Sequence, residues 1–538
     1  MDFDIIIIGS GAGGGMTALR LCEQGFKVGL LERGPRFDPR KDYIMNYPDW
    51  ERRNDPLKHA RQAEQTIDQD YRTEFAHNNK QGRRSPLRYF RVHGVGGSTL
   101  HYQGEAHRFA EHAFRTNSEF GWGVDWPIGY SDLAPYYAQA EQLLGVAGAQ
   151  GNPFKPKREA FPTPAHSLSA KSQIMAAAAS KAGFSLLPNT LALPSLSIDG
   201  RTPCQHSGTC NYGCVFQAKS SIDQAIIPRA EKTGNLTLLS ETRVLNLNID
   251  DAGEVSSINC VDANGTIRLS AKRYVLAGGS IETPRLMLAS TSAAQVNGLG
   301  NNNDQVGRYF METVYCTAKF ALNSDAKTYT GPPLDARVWD FCKPQDKQTN
   351  GFVLGLAGYL HPSIGPSNHA IRTAGIGRRH LARAKETFGR DIYVFGVAEQ
   401  EPLASNRLTL SAKRDKRGQA KIKVHCQYSE RDKHTIDVVM DKLHKWVSQA
   451  PSDGIMSTSD TLRRSSATHV GGTCRMGNEA STSVVDSFGK VHGQKDCYIT
   501  DASVLPTQGA GDSPSLTIQA LALRTADRIA SDLKNLST

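Results

Sequence analysis

Apolar positions cluster first at the start of the chain, where Ile5-Ile6-Ile7-Ile8 runs directly into Gly9-Ser10-Gly11-Ala12-Gly13-Gly14-Gly15. A short unbroken apolar run bounded by glycine reads as a strand buried on both faces, and the Ala/Leu-rich sequence after it reads as a helix. Val28-Gly29-Leu30-Leu31 then gives a second strand. Residues 235–280 predict further strands at Leu236–Leu239, Val244–Ile249, Thr266–Ser270 and Arg273–Ala277. They lead into Gly278-Gly279-Ser280-Ile281-Glu282-Thr283-Pro284, a strand-to-helix turn with proline near the helix start. From about 310 to 462, strand-like runs such as Ile392–Val397 mix with an amphipathic helix near Asp432–Ala450, the composition of a β-rich cap. A strand from Asp496 runs into a loop at Pro506, and a long helix over Ser515–Leu533 closes the chain. The stretch from about 36 to 88 is polar and has little periodicity.

The opening β–glycine loop–α–β unit has the spacing of a dinucleotide site. Gly9 makes the tight turn, Gly11 lets the backbone approach a pyrophosphate, and Gly14 lets helix and strand pack closely. The pyrophosphate would sit on the helix N-terminus, where unpaired N–H groups and the positive dipole end favour an anion. Glu32 ends the second strand, where a carboxylate accepts ribose hydroxyls and repels a 2′-phosphate, so NADP is disfavoured. A second glycine loop, Gly96-Gly97-Ser98-Thr99, offers backbone amides to a flat ring or an anion.

Composition narrows the class. At 538 residues, 39% of them hydrophobic, the chain can bury more than one core. It has no uninterrupted apolar run long enough for a transmembrane segment. It starts on a core strand, which predicts no export signal of its own. The formal charge of +10 raises the question of nucleic acid, but lysine and arginine are scattered, with short runs such as Arg378-Arg379-His380, and read as a solvated basic face.

Seven of the ten cysteines are dispersed, whereas Cys204, Cys210 and Cys214 fall within eleven residues of Gly-rich polar sequence. Such a loop can curl its sulfurs around one centre. Three sulfurs fit poorly to structural zinc, although His206 could complete a set, and fit better a cluster with one cysteine-free corner such as [3Fe–4S]. Packing without metal is the alternative.

Taken together and in order, these segments resemble the glucose–methanol–choline (GMC) flavoprotein oxidoreductases over essentially the whole length. The resemblance rests on both glycine loops, Gly123-Val124-Asp125-Trp126-Pro127-Ile128, Gly279 to Pro284, Val306-Gly307-Arg308 and His469-Val470-Gly471-Gly472-Thr473. It implies an α/β fold: a Rossmann-like FAD-binding domain (1–105, 200–310 and 465–538) interleaved with an α+β substrate-binding domain (106–199 and 311–464) built on an antiparallel sheet. Within the family, the cysteine spacing resembles bacterial FAD-dependent sugar dehydrogenase large subunits, which implies a [3Fe–4S] cluster on Cys204, Cys210 and Cys214. The extra adjacent cysteine of those enzymes is missing here.

The resemblance implies FAD with Gly9, Gly11 and Gly14 at its pyrophosphate and Glu32 on its adenosine ribose. Val244 would meet the adenine edge, Asp501 and Ala502 the ribityl chain or pyrophosphate, and Gly96, Gly97 and Ser98 the isoalloxazine. His101 lies where some relatives attach the flavin covalently.

Catalysis would centre on His469, because oxidising an alcohol needs a base for the O–H proton while carbon delivers hydride, and imidazole suits that task at neutral pH. The family's second polar residue, Asn or His, is replaced by Ser513 in Ser513-Pro514-Ser515-Leu516-Thr517. A serine hydroxyl also donates and accepts, but reaches about one atom less. The expectation is an FAD-dependent dehydrogenase of a sugar, glycoside or polyol, with electrons passing to a small subunit and a cytochrome c-type acceptor. Location would be cytoplasmic, or periplasmic if co-exported with that subunit. An oxidase with structural cysteines and a flavin-containing lyase are the alternatives.

Overall fold

The computed structural model describes residues 1–52, 91–358, 365–415, 418–462 and 469–535. Most of the polar stretch read at 36–88 therefore lies outside the described residues.

Five parallel strands form one sheet in the order Cys497–Ile499, Ala271–Leu276, Phe3–Ile8, Val28–Leu31 and Leu236–Leu239. The Ile5–Ile8 run lies at its centre and is almost wholly buried, with the helices Ala12–Glu23 and Ser515–Lys534 packed on one another beside it. A three-stranded antiparallel meander, Arg243–Ile249, Val255–Asp262 and Gly265–Leu269, flanks this sheet. The middle strand, Val-Ser-Ser-Ile-Asn-Cys-Val-Asp, was not legible by pattern, because its polar positions break the alternation.

The second unit is a six-stranded antiparallel sheet ordered Ser452–Asp460, Val314–Leu322, Asp391–Ala398, Phe352–Gly358, Ala336–Val338 and Leu186–Pro188. Val314–Leu322 alternates strictly between buried and half-buried positions, as a strand with one covered face must. The helix Glu430–Val447 covers that face through Ile436, Val439, Leu443 and Trp446. Its N-terminus is fixed by a reciprocal cap: Asp432 N donates to Ser429 Oγ, and the Asp432 carboxylate accepts from Ser429 N. The strands at Leu236–Leu239 and Ser515–Lys534's helix fall where the sequence pattern put them to within a residue.

Candidate functional site

One cavity of about 540 Å³ runs between the two sheets and is lined at one end by both glycine loops, at the other by His469 and Ser513.

At the dinucleotide end, close backbone approach makes glycine obligatory. A Cβ on Gly14 would lie 1.9 Å from the Gly9 carbonyl oxygen, and Gly9 itself holds φ +108°. Gly11 and Gly97 pack directly against each other in the cavity wall: a Cβ on Gly97 would come within 2.9 Å of Gly11 Cα. Two bare stretches of backbone thus border a slot at the N-terminus of the helix Ala12–Glu23. Gly96, at φ +104°, starts the short turn Gly97–Leu100 that carries Ser98. Ser10 joins these parts. Its Oγ donates to Glu32 Oε2 at 2.7 Å and accepts from Gly96 N at 3.1 Å, while Glu32 Oε1 accepts from Gly34 N at 2.9 Å. Glu32 is buried and aligned along the cavity wall.

Val244 also lines the cavity, beside a bulge in the meander, and its carbonyl receives Gln419 Nε2 at 3.3 Å. Nearby, Glu282 gathers Arg91 at 2.7 Å, Arg285 at 2.6 Å and Arg33 at 3.7 Å. Burial and the neighbouring Arg33 pull Arg91 down to about 9, although Glu282 opposes them. Asp501 and Ala502 border the cavity, but the Asp501 side chain faces protein. Its Oδ2 accepts from Gly279 N at 2.8 Å and Thr283 Oγ1 at 2.5 Å, and its Oδ1 from Ser503 N at 2.8 Å. That carboxylate thereby fixes the start of the helix Gly279–Ala289.

The other end is assembled from side chains of distant segments. His469 is half-buried, and burial pushes its pKa down to about 4, with Arg337 and His107 adding to the shift and Glu105 opposing it. The ring is therefore neutral at physiological pH and its lone pair is free to take a proton. Among the described residues, its Nδ1 has no hydrogen-bond partner. Gln508 Nε2 donates to the His469 carbonyl at 2.5 Å. The loop carrying Gln508 is in turn gripped by buried Glu399, which accepts from the backbone N–H groups of Gln508, Gly509 and Ala510. Burial raises Glu399 to about 7 despite those three donors.

That loop continues to Asp512 and Ser513. Ser513 N donates to His107 Nδ1 at 3.1 Å, His107 Nε2 meets Asn189 Oδ1 at 2.8 Å, and Asp512 pairs with Lys155 and accepts from Trp339 Nε1 at 3.2 Å. Burial alone would raise Asp512, but Lys155 and His107 hold it below the usual carboxylate range. Arg337 donates through Nε to Glu105 Oε1 at 2.7 Å and stacks on Phe395 at 4.5 Å. Opposite it across the sheet is Gly355, where a Cβ would lie 2.4 Å from Arg337 Nη1, so glycine there makes room for the guanidinium. Burial opposes ionisation of Glu105, yet Arg337 and His107 keep its carboxyl below the ordinary range. Tyr315, Tyr393, Phe395 and Leu334 complete this end of the cavity.

The structure thus brings His469, Ser513, Gly9, Gly11, Glu32, Gly97, Ser98, Val244, Asp501 and Ala502 to one cavity; Gly14 and Gly96 support it from behind. Cys204, Cys210 and Cys214 stand apart from this set. Among the described residues no group of three His, Cys, Asp or Glu side chains that could hold a metal ion is found. Cys210 is buried with Leu191 and Leu193, Cys204 packs against it, and Cys214 Sγ accepts from Lys219 N at 3.5 Å. Burial pushes Cys210 up to about 12 and raises Cys204, and the neighbouring Cys214 adds to both shifts. His206 faces His166 at 3.1 Å.

Pattern reading missed Ser10, Glu105, His107, Arg337 and Glu399. Ser10 was visible between two loop glycines. The others sit in no motif.

A glycine-loop nucleotide site opening onto a neutral histidine defines a dinucleotide-dependent oxidoreductase. The chain belongs to the GMC oxidoreductase family, whose models match residues 87–311 and 402–522. Curated relatives include paromamine 6'-oxidase of Streptomyces fradiae (27% identical, covering 99% of this chain and 92% of that protein). Others are 2-methyl-1,2-propanediol dehydrogenase of Mycolicibacterium austroafricanum (28%, 98% and 95%) and the fructose dehydrogenase large subunit of Gluconobacter japonicus (27%, 99% and 99%). Among solved structures, pyridoxine 4-oxidase from Mesorbium loti matches with TM-score 0.66 at 18% identity, covering 98% of this chain and 99% of that one. FAD is the cofactor of this family, and the cavity wall formed by Gly9, Gly11 and Gly97, at a helix N-terminus with Glu32 beside it, fits a dinucleotide.

Proposed function

We propose that the protein is an FAD-dependent dehydrogenase that oxidises a hydroxyl of a sugar, glycoside or polyol. The observation that carries this reading is the placement of His469, neutral at physiological pH, in the same cavity as the two facing glycine loops. FAD, when bound, accepts the hydride. His469 takes the hydroxyl proton as the C–H bond breaks, since a neutral imidazole is the base form. Ser513 orients the substrate oxygen through its hydroxyl, and its backbone is held in place by His107. Arg337, pinned by Glu105 and Phe395, presents fixed positive charge to that end of the cavity and favours the developing alkoxide. Tyr315, Tyr393 and Phe395 supply flat apolar walls suited to the C–H face of a sugar ring.

The curated relatives are named for hydroxyl-bearing substrates, aminoglycoside, diol and ketose, which supports the substrate class. One of them is named an oxidase, which favours direct use of oxygen as the second reading. A small subunit and a cytochrome as electron acceptors belong to the proposal, supported by the word "subunit" in the fructose dehydrogenase relative.

The test mixes flavin-loaded protein anaerobically with a panel of sugars and polyols, then admits air. Flavin bleaching without peroxide in air supports the dehydrogenase; bleaching with peroxide moves the assignment to the oxidase. No bleaching with any member sinks both. Iron and sulfide assays on anaerobically purified protein decide the cysteine loop separately, about three irons per chain restoring the cluster and none removing it.

A further inference from the structure

The strongest feature outside the cavity is a helical hairpin on the cap, Pro366–Arg372 and Gly377–Thr387. A surface helix normally turns an apolar stripe inward. Here the first helix buries no residue and the second buries only Ala384. Its apolar side chains point out: Ile371 is 78% exposed, Ile376 90% and Leu381 52%. Three of the eight large apolar side chains exposed among the described residues therefore fall within eleven positions, a cluster and not scatter.

The same segment is strongly cationic. Between 365 and 385 it carries Arg372, Arg378, Arg379, Arg383 and Lys385, all exposed, and no aspartate or glutamate. Glu386, the next acid, faces Arg390 at 3.5 Å, and none of the five cations meets a carboxylate among the described residues.

The hairpin is held in this presentation from beneath. Glu51 accepts from Ser367 N at 3.2 Å and Asn368 N at 2.9 Å, which caps the first helix. His369 Nε2 meets Thr387 Oγ1 at 2.9 Å, tying the two helices together, and Phe388 stacks on Tyr329 at 4.9 Å. The one aromatic ring of the hairpin's end is thereby spent inward.

We propose that this hairpin is a peripheral docking surface for an anionic phospholipid bilayer. The chemistry matches both layers of such an interface. Five cations without a carboxylate partner among the described residues suit phosphate headgroups, and Ile371, Ile376 and Leu381 suit the acyl boundary just below them. A protein partner is the poorer match, because the centre of a protein interface is depleted in charge and enriched in aromatic rings, whereas this patch intersperses cations among its apolar tips and exposes no ring. No helix among the described residues is long and apolar enough to cross a membrane, so the attachment is from one side.

The test is co-sedimentation of the full flavin-loaded chain with phosphatidylcholine vesicles, with and without phosphatidylglycerol, at low and high salt. Binding is expected to phosphatidylglycerol vesicles only, and to fall with salt. Replacing Arg378, Arg379 and Arg383 together by glutamine should weaken it roughly a hundredfold. The pair Ile376→Ser and Leu381→Ser should weaken it about tenfold or more. Flavin content and anaerobic bleaching should be unchanged in both variants, which separates lost docking from lost folding. The proposal is overturned if low-salt protein ignores anionic vesicles, binds neutral ones equally well, or binds undiminished in either variant; the first outcome would hand the surface to an acidic protein.

Discussion

The two ends of the cavity are built by opposite means. The dinucleotide end is backbone: Gly9, Gly11 and Gly14 and their strand lie within the first fourteen residues, and the fit depends on Cβ atoms that are absent. The catalytic end is side chains drawn from across the chain, with Ser513 reaching His107 over 406 positions and Lys155 reaching Asp512 over 357. The first end tolerates no added atom, and the second no lost partner. The first should therefore fail by losing the cofactor and the second by losing rate or stability with the cofactor still bound.

The sharpest break of this contrast is Gly97→Val. Its branched side chain would run into Gly11, so flavin per chain should fall close to zero by absorbance, and activity with it. His469→Ala should do the reverse. Flavin stays bound, while its anaerobic reduction by substrate slows by about 10²–10⁴-fold. Arg337→Met would leave Glu105 buried without its cation, a loss of about 3–5 kcal/mol in denaturant unfolding. Ser513→Ala keeps the backbone bond to His107 and should cost about tenfold or less, chiefly in kcat/KM. The smallest signal is in pH. Because His469 is displaced downward to about 4, it loses its base form only as pH falls through that value. The flavin reduction rate should therefore hold nearly level from neutral pH to about 5, where an ordinary histidine at about 6.5 would already have cost most of it.

The same contrast explains what the sequence made legible. A β–glycine loop–α–β unit is local: strand, loop, helix and Glu32 are contiguous, so spacing alone implies the geometry. Helices and strands with strong periodicity, such as Ser515–Lys534 and Leu236–Leu239, were legible for the same reason. His469 was found through its Gly-Gly-Thr context and not through burial or charge. Arg337, Glu105 and Glu399 carry no such context, because what matters about them is a partner more than a hundred residues away or a glycine across the sheet at Gly355. The cysteine loop shows the limit from the other side. Spacing pointed to three sulfurs around one centre, whereas what the structure shows of them is Cys210 packed against Leu191 and Leu193 with Cys204 beside it, and the Lys219 N–H on Cys214. Asp501 likewise sits at the cavity wall, with its carboxylate turned to Gly279, Thr283 and Ser503.

The central claim is that a neutral His469 removes a hydroxyl proton beside the flavin. Stopped-flow absorbance, following anaerobic flavin reduction by the best sugar or polyol of the panel in wild type and His469→Ala at matched flavin content, tests it most directly. Rapid bleaching in the wild type and bleaching slowed at least about a hundredfold in the variant is the expected result. Equal rates in the two proteins would contradict it, because the proton would then be leaving by another route.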